Sequence, residues 1–101
     1  MAYVRAGHFT VKPGNDEDLI EIYGREAIPQ IRQSPGNVSA VLLQQHSAEN
    51  AFVAMTLWQT EADAQRYEAS GRAAEIVAKV KHLFAAPPLL TTYDAFGIGE
   101  S

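Results

Sequence analysis

Phe52-Val53-Ala54-Met55-Thr56-Leu57-Trp58-Gln59-Thr60-Glu61-Ala62-Asp63-Ala64-Gln65-Arg66-Tyr67 is the stretch on which the fold turns. Phe52 to Gln59 reads as a β-strand, because it is an apolar run rich in aromatic and β-branched residues. Strand side chains alternate between faces. Phe52, Ala54, Thr56 and Trp58 share one face, and Val53, Met55 and Leu57 the other. Both faces are apolar, so both sides of the sheet need cover. Helices cover one. A second copy of the sheet most simply covers the other, which predicts a homodimer through the sheet face. At Thr60 the pattern changes. Thr60 with Asp63 reads as a capping box, with Asp in the Glu/Gln place, and a short helix through Tyr67 follows.

Upstream, Tyr3 to Val11 reads as a first strand that Lys12-Pro13-Gly14 breaks. Asn15 suits an N-cap, and Asp16, Glu17 and Asp18 suit a helix start. Leu19, Ile22, Tyr23, Ala27 and Ile31 then recur at helical spacing, with Gly24 and Pro29 weakening the helix and Pro29 kinking it or resetting its last turn. Ser34-Pro35-Gly36-Asn37 stops it. Val38 to Gln45 reads as a second strand. The connector His46–Asn50 has hairpin length, so the second and third strands pair antiparallel. Downstream, Ser70-Gly71 punctuates. A helix follows with Ala73, Ile76, Val77, Val80, Leu83 and Phe84 on one stripe. Pro87-Pro88 ends it, and Leu89 to Phe96 reads as the last strand. The order β-α-β-β-α-(α)-β predicts an α+β, ferredoxin-like fold: one antiparallel sheet with helices on one face.

At 101 residues the chain reads as one domain, 1–101. Its net charge of −4, with no basic block, predicts no nucleic-acid and no anionic-membrane surface. No apolar run approaches the roughly 20 residues needed to span a bilayer. There is no cysteine, hence no disulfide and no thiolate. The N-terminus does not read as a secretory signal, so a cytoplasmic location is expected. The three histidines, His8, His46 and His82, show no close ligand spacing, and no metal site is predicted.

Several landmarks together resemble one family. Val11-Lys12-Pro13-Gly14 follows the first strand, Arg32-Gln33-Ser34-Pro35-Gly36-Asn37-Val38 follows the first helix, and Leu57-Trp58 precedes Glu61-Ala62. In this order they are similar to the antibiotic biosynthesis monooxygenase family. The resemblance implies a dimeric α+β barrel, with two ferredoxin-like sheets face to face. Members of this mixed family oxygenate aromatic polyketides without metal or flavin, degrade heme, or isomerise small metabolites. Heme-degrading relatives place an asparagine near Gly7 and a ligating histidine near Val77, and neither is present here. Some polyketide oxygenases carry an asparagine where this chain has Ala54. The first two gaps speak against heme, and no cofactor is expected; the third removes a hydrogen-bonding partner those oxygenases have, so activity as an enzyme stays open.

Trp58 then reads either as a core aromatic or as a pocket wall. By alternation Arg5, Gly7, Phe9 and Val11 share one face of the first strand, and the resemblance turns that face toward the helices. Phe9, Tyr23, Trp58 and Tyr67 are the candidate pocket walls. Arg5 is the candidate for neutralising a substrate phenolate or enolate. His8 has the intrinsic pKa of a general base, although its parity places it on the dimer face. Arg5, His8 and Trp58 are thus the candidate catalytic residues. The leading expectation is a cofactor-independent monooxygenase of a small electron-rich aromatic, hydroquinone- or anthrone-like. A small-molecule isomerase or cyclase, or a non-catalytic ligand-binding dimer, are the alternatives.

Overall fold

The computed structural model describes residues 1–97, so the expected domain's last four residues lie outside the described part. The elements are β1 (Ala2–Thr10), α1 (Asp16–Ile22), a π-helical turn (Tyr23–Ala27), α2 (Ile28–Arg32), β2 (Asn37–Gln45), β3 (Ala48–Trp58), α3 (Glu61–Ala69), α4 (Arg72–Val80), a 3-10 turn (Lys81–Leu83) and β4 (Leu89–Ala95). The four strands form one antiparallel sheet in the order β2-β3-β1-β4. This is the ferredoxin-like α+β fold expected from the sequence.

The helices pack on one face of the sheet, and alternation decides what they cover. Phe9, Val11, Phe52, Ala54, Thr56 and Trp58 are buried beneath them with Leu19, Tyr23, Ala27 and Ile31 from the first helical arm. The opposite face carries Val53, Met55 and Leu57 beside Val41 and Leu43 of β2. Leu43 is 45% exposed, and on the far strand Leu89 and Tyr93 are exposed by 69% and 51%. The single chain therefore leaves an apolar sheet face open, as the two-sided strand requires.

Two local features differ from the simplest reading of the sequence. The first helical arm is widened by a π-helical turn just before Pro29. Pro29 has no N–H to return to the carbonyl of Arg25, and the Ile28 N–H instead reaches back five residues to the Tyr23 carbonyl. The arm thereby keeps Leu19, Tyr23, Ala27 and Ile31 all buried. The second difference is at the hairpin. β3 begins at Ala48 rather than Phe52, because Thr10 pairs with Ala51 and the Val11 N–H donates to the Asn50 carbonyl at 2.9 Å.

The junction from β3 into α3 makes the predicted Thr60 cap, but the Asp63 carboxylate takes the Thr60 hydroxyl rather than the Thr60 backbone N–H, so the box is half closed. Thr60 Oγ1 accepts from the Asp63 backbone N–H at 3.2 Å and donates to Asp63 Oδ2 at 2.9 Å. Gly36 lies against this cap with φ at +83°, and a Cβ there would collide with the Asp63 side chain. Only glycine meets both conditions. At Asn15 the expected side-chain cap is not made. Its backbone carbonyl instead accepts from the Leu19 N–H at 3.2 Å.

Candidate functional site

Between the sheet and the helices lies a cleft of about 160 Å³. Side-chain size creates it. Gly7 and Ala54 are direct cross-strand partners on the helix-facing side of β1 and β3, and so leave the floor low. The Phe9 ring folds back over Gly7, where an added Cβ would stand 3.2 Å from Phe9 Cζ. Phe9 is held there by stacking on Phe84, with ring centres 4.9 Å apart. Tyr23 enters from the π-helical turn, Tyr67 from α3, and Ile76 and Val77 from α4. Leu89 and Leu90, both largely exposed, stand at the mouth.

Among the sequence candidates, the cleft brings together Arg5, Phe9, Tyr23 and Tyr67. Trp58 stands one layer behind. It is 0% exposed and does not line the cleft. Its indole N–H donates to Thr56 Oγ1 at 2.9 Å, and its ring lies 4.8 Å from Tyr67, tilted by 33°. Trp58 thus positions two residues that do line the cleft. Thr56 shares the tryptophan's face by parity, which is the signal that finds it.

His8 lies on the opposite face of β1. It is exposed, its Nε2 stands 3.0 Å from Thr91 Oγ1, and that oxygen is 3.0 Å from the Tyr93 hydroxyl. The sheet separates it from the cleft, so it cannot take a proton from a ligand there within one chain.

Arg5 is the only charged side chain lining the cleft among the described residues. Its side chain is 13% exposed, and Nη1 lies 3.2 Å from Glu68 Oε2. Its guanidinium carbon stands 5.7 Å from the Tyr67 ring centre, within cation–π range. Glu68 has no signal in the sequence. Its meeting with Arg5 depends on how α3 lies across the sheet.

Neither the Tyr23 nor the Tyr67 hydroxyl has a hydrogen-bond partner among the described residues. Burial pushes the Tyr23 phenol far above its ordinary value, and Tyr67 nearby adds to the rise. Burial also raises Tyr67, against the opposing pull of Arg5 and Arg72. Both phenols therefore stay neutral at physiological pH and act as hydrogen-bonding groups rather than bases. No histidine, aspartate or glutamate lines the cleft, and no three His, Cys, Asp or Glu side chains stand together among the described residues. The arrangement offers an apolar slot, one cation, two neutral phenols and the Thr56 hydroxyl. It can hold an aromatic ring and stabilise negative charge on it.

The sequence profile of the antibiotic biosynthesis monooxygenase family matches residues 2–79. Among solved structures, a Nitrosomonas europaea protein named as a candidate antibiotic biosynthesis monooxygenase is similar, with a TM-score of 0.82 and 23% identity over 94% of this chain and 90% of that one. A second protein of that organism, NE2512, of unknown function, superposes with a TM-score of 0.83 and 18% identity over 99% and 94% of the two chains. A mutant of SnoaB, a cofactor-independent oxygenase from Streptomyces nogalater, has a TM-score of 0.81 and 18% identity over 96% and 95%. At such identities these likenesses speak for the fold. No curated protein matches the chain.

Proposed function

The chain belongs to the antibiotic biosynthesis monooxygenase family, and on that premise we propose that it is a cofactor-independent monooxygenase of a small phenolic aromatic. The observation that carries this reading is the pairing of Arg5 with an otherwise apolar cleft that contains no base. Oxygenation of this kind asks little of a protein beyond holding the substrate's anion away from water. The deprotonated ring gives an electron to oxygen, and the resulting radicals combine as a peroxide. Loss of water then leaves a quinone carbonyl. One oxygen atom enters the product and the other leaves as water, so the substrate is its own reductant. Arg5 stabilises the anion, Tyr23 and Tyr67 hydrogen-bond its oxygen, and Phe9 packs on the ring. Trp58 keeps Tyr67 and Thr56 in place.

Size supports a hydroquinone over an anthrone. A cavity of roughly 150 Å³ encloses a benzene-sized ligand. The lack of a group that titrates near neutrality in the cleft also counts against the isomerase reading, which needs a proton shuttle.

Oxygen uptake by the purified protein with hydroquinones and naphthols, without added metal or flavin, tests the proposal. Saturable uptake above the uncatalysed rate is the expected result, with about one oxygen molecule consumed per product, one labelled atom from 18O2 in that product and no hydrogen peroxide released. Quinone formed no faster than in buffer across such a set would overturn it.

The working unit in this reading is a homodimer closed through the open sheet face. Val53, Met55 and Leu43 are apolar and contiguous there, and self-association is the simplest cover. Light scattering should return twice the 11.0 kDa chain mass. Met55→Asp, which puts a charge at the centre of the face, should return the single-chain mass at micromolar concentration. A monomeric unsubstituted protein would refute the dimer.

A further inference from the structure

We propose that the ligand of this cleft is an anion, a single ring bearing a carboxylate, and that Glu68 is the internal carboxylate it displaces from Arg5. The inference deepens the functional reading above and rests on the same cleft being the ligand site.

Arg5 stands between two hollows. On one side is the apolar cleft. On the other is a groove of about 390 Å³ between α3 and α4, floored by alanines and edged by Glu68 and Lys81. Arg5, Ala73 and Val77 line both. A ring seated in the cleft can therefore direct a substituent at the guanidinium, with room beyond it.

The Arg5 side chain is largely buried, yet its nitrogens keep access to solvent and are under-used by the protein. It has five N–H donors. Among the described residues its one ionic partner is Glu68, at 3.2 Å, and that contact is not an aligned hydrogen bond. The Arg25 and Arg66 pairs, by contrast, are aligned hydrogen bonds. Glu68 is 60% exposed, so its carboxylate keeps most of its hydration and is released at little cost. A ligand carboxylate in the planar fork geometry would engage two donors at once. Its arrival leaves Glu68 in water and engages two of the five Arg5 donors, with the others still free to face the ring's phenolic oxygen. No other acid lines either hollow, and Lys81 adds a second positive charge at the groove's edge.

The test is calorimetric binding under nitrogen, where no turnover occurs, of a dihydroxybenzoate beside hydroquinone. The acid should bind roughly tenfold more tightly than the neutral ring, as a charge-assisted bidentate pair warrants. Glu68→Gln removes the competitor and should widen that ratio a further several-fold by strengthening the acid alone. Arg5→Met should bring the ratio close to one. Equal binding of the two probes, or no binding of either, would overturn the proposal. So would a ratio unmoved by Glu68→Gln, a substitution on the solvent side that does not threaten folding. The same compounds in air separate the two ideas. A retained acid preference without oxygen uptake would remove the oxygenase and keep this inference, while uptake without any preference would do the reverse.

Discussion

Trp58→Ala should lower the unfolding free energy by about 3–5 kcal/mol, the range for truncating a fully buried large aromatic. Three losses combine. The indole is 0% exposed, so its removal leaves a void where α3 crosses the sheet. Thr56 Oγ1, itself buried, loses the N–H that donates to it at 2.9 Å. Tyr67 loses the ring it leans on at 4.8 Å, an aromatic contact worth about 0.5–1.5 kcal/mol beyond area burial. Domains of this kind hold only about 5–15 kcal/mol in total, so the variant should be marginal. Urea unfolding followed by circular dichroism, at one protein concentration, measures the change. Trp58→Phe keeps an aromatic ring and loses the N–H, and should cost about 1–2 kcal/mol through the stranded Thr56 hydroxyl. A loss below about 1 kcal/mol in Trp58→Ala would mean that the indole is not a core element.

The same residue marks how far sequence reasoning reaches. Alternation along β1 and β3 is a period-2 property of the backbone, so it separates Arg5 and Phe9 from His8, and the family resemblance turns the Arg5 face toward the helices, where Trp58 also lies. Alternation says nothing of depth. Trp58 and Thr56 share a face, yet only Thr56 reaches the cleft, because Tyr67 from α3 lies against the indole. The floor was hidden for a related reason. Gly7 and Ala54 are unremarkable singly and make a hollow only as cross-strand partners, and register is a tertiary fact. Pro29 announces a disturbance of the first helix, but not its form, which is set by the bond from the Ile28 N–H to the Tyr23 carbonyl. Thr60 with Asp63 was legible because a cap is a local interaction, complete within four residues. Arg5 was legible as a charge on an inward face. Its partner Glu68, far along the chain and next to Tyr67, was not.

Arg5→Met should reduce kcat/KM for the phenolic substrate by roughly 10²–10³-fold, the cost of removing one preorganised group that stabilises developing negative charge. Methionine keeps much of the apolar stem that packs beside Tyr67 and deletes only the cation. Folding should survive, since the Glu68 left behind is 60% exposed and returns to water. The pH profile identifies the cause. With no base lining the cleft, the reactive species is the substrate's own anion, so the rate should rise with pH as the bound phenol ionises. A neighbouring cation favours the charged form and moves that rise to lower pH. Without Arg5 the rise should move upward, toward the value of about 10 for an unperturbed phenol. Below that rise, each pH unit of displacement carries a tenfold loss of rate at fixed pH, worth about 1.4 kcal/mol, so the whole expected loss corresponds to a displacement of about two to three units. Tyr23 and Tyr67 do not confuse the measurement below about pH 10, because burial keeps both phenols neutral there. A raised KM with kcat and profile unchanged would make Arg5 a binding group only. An unmoved profile with kcat reduced would place the charge stabilisation elsewhere and leave Arg5 without an electrostatic role.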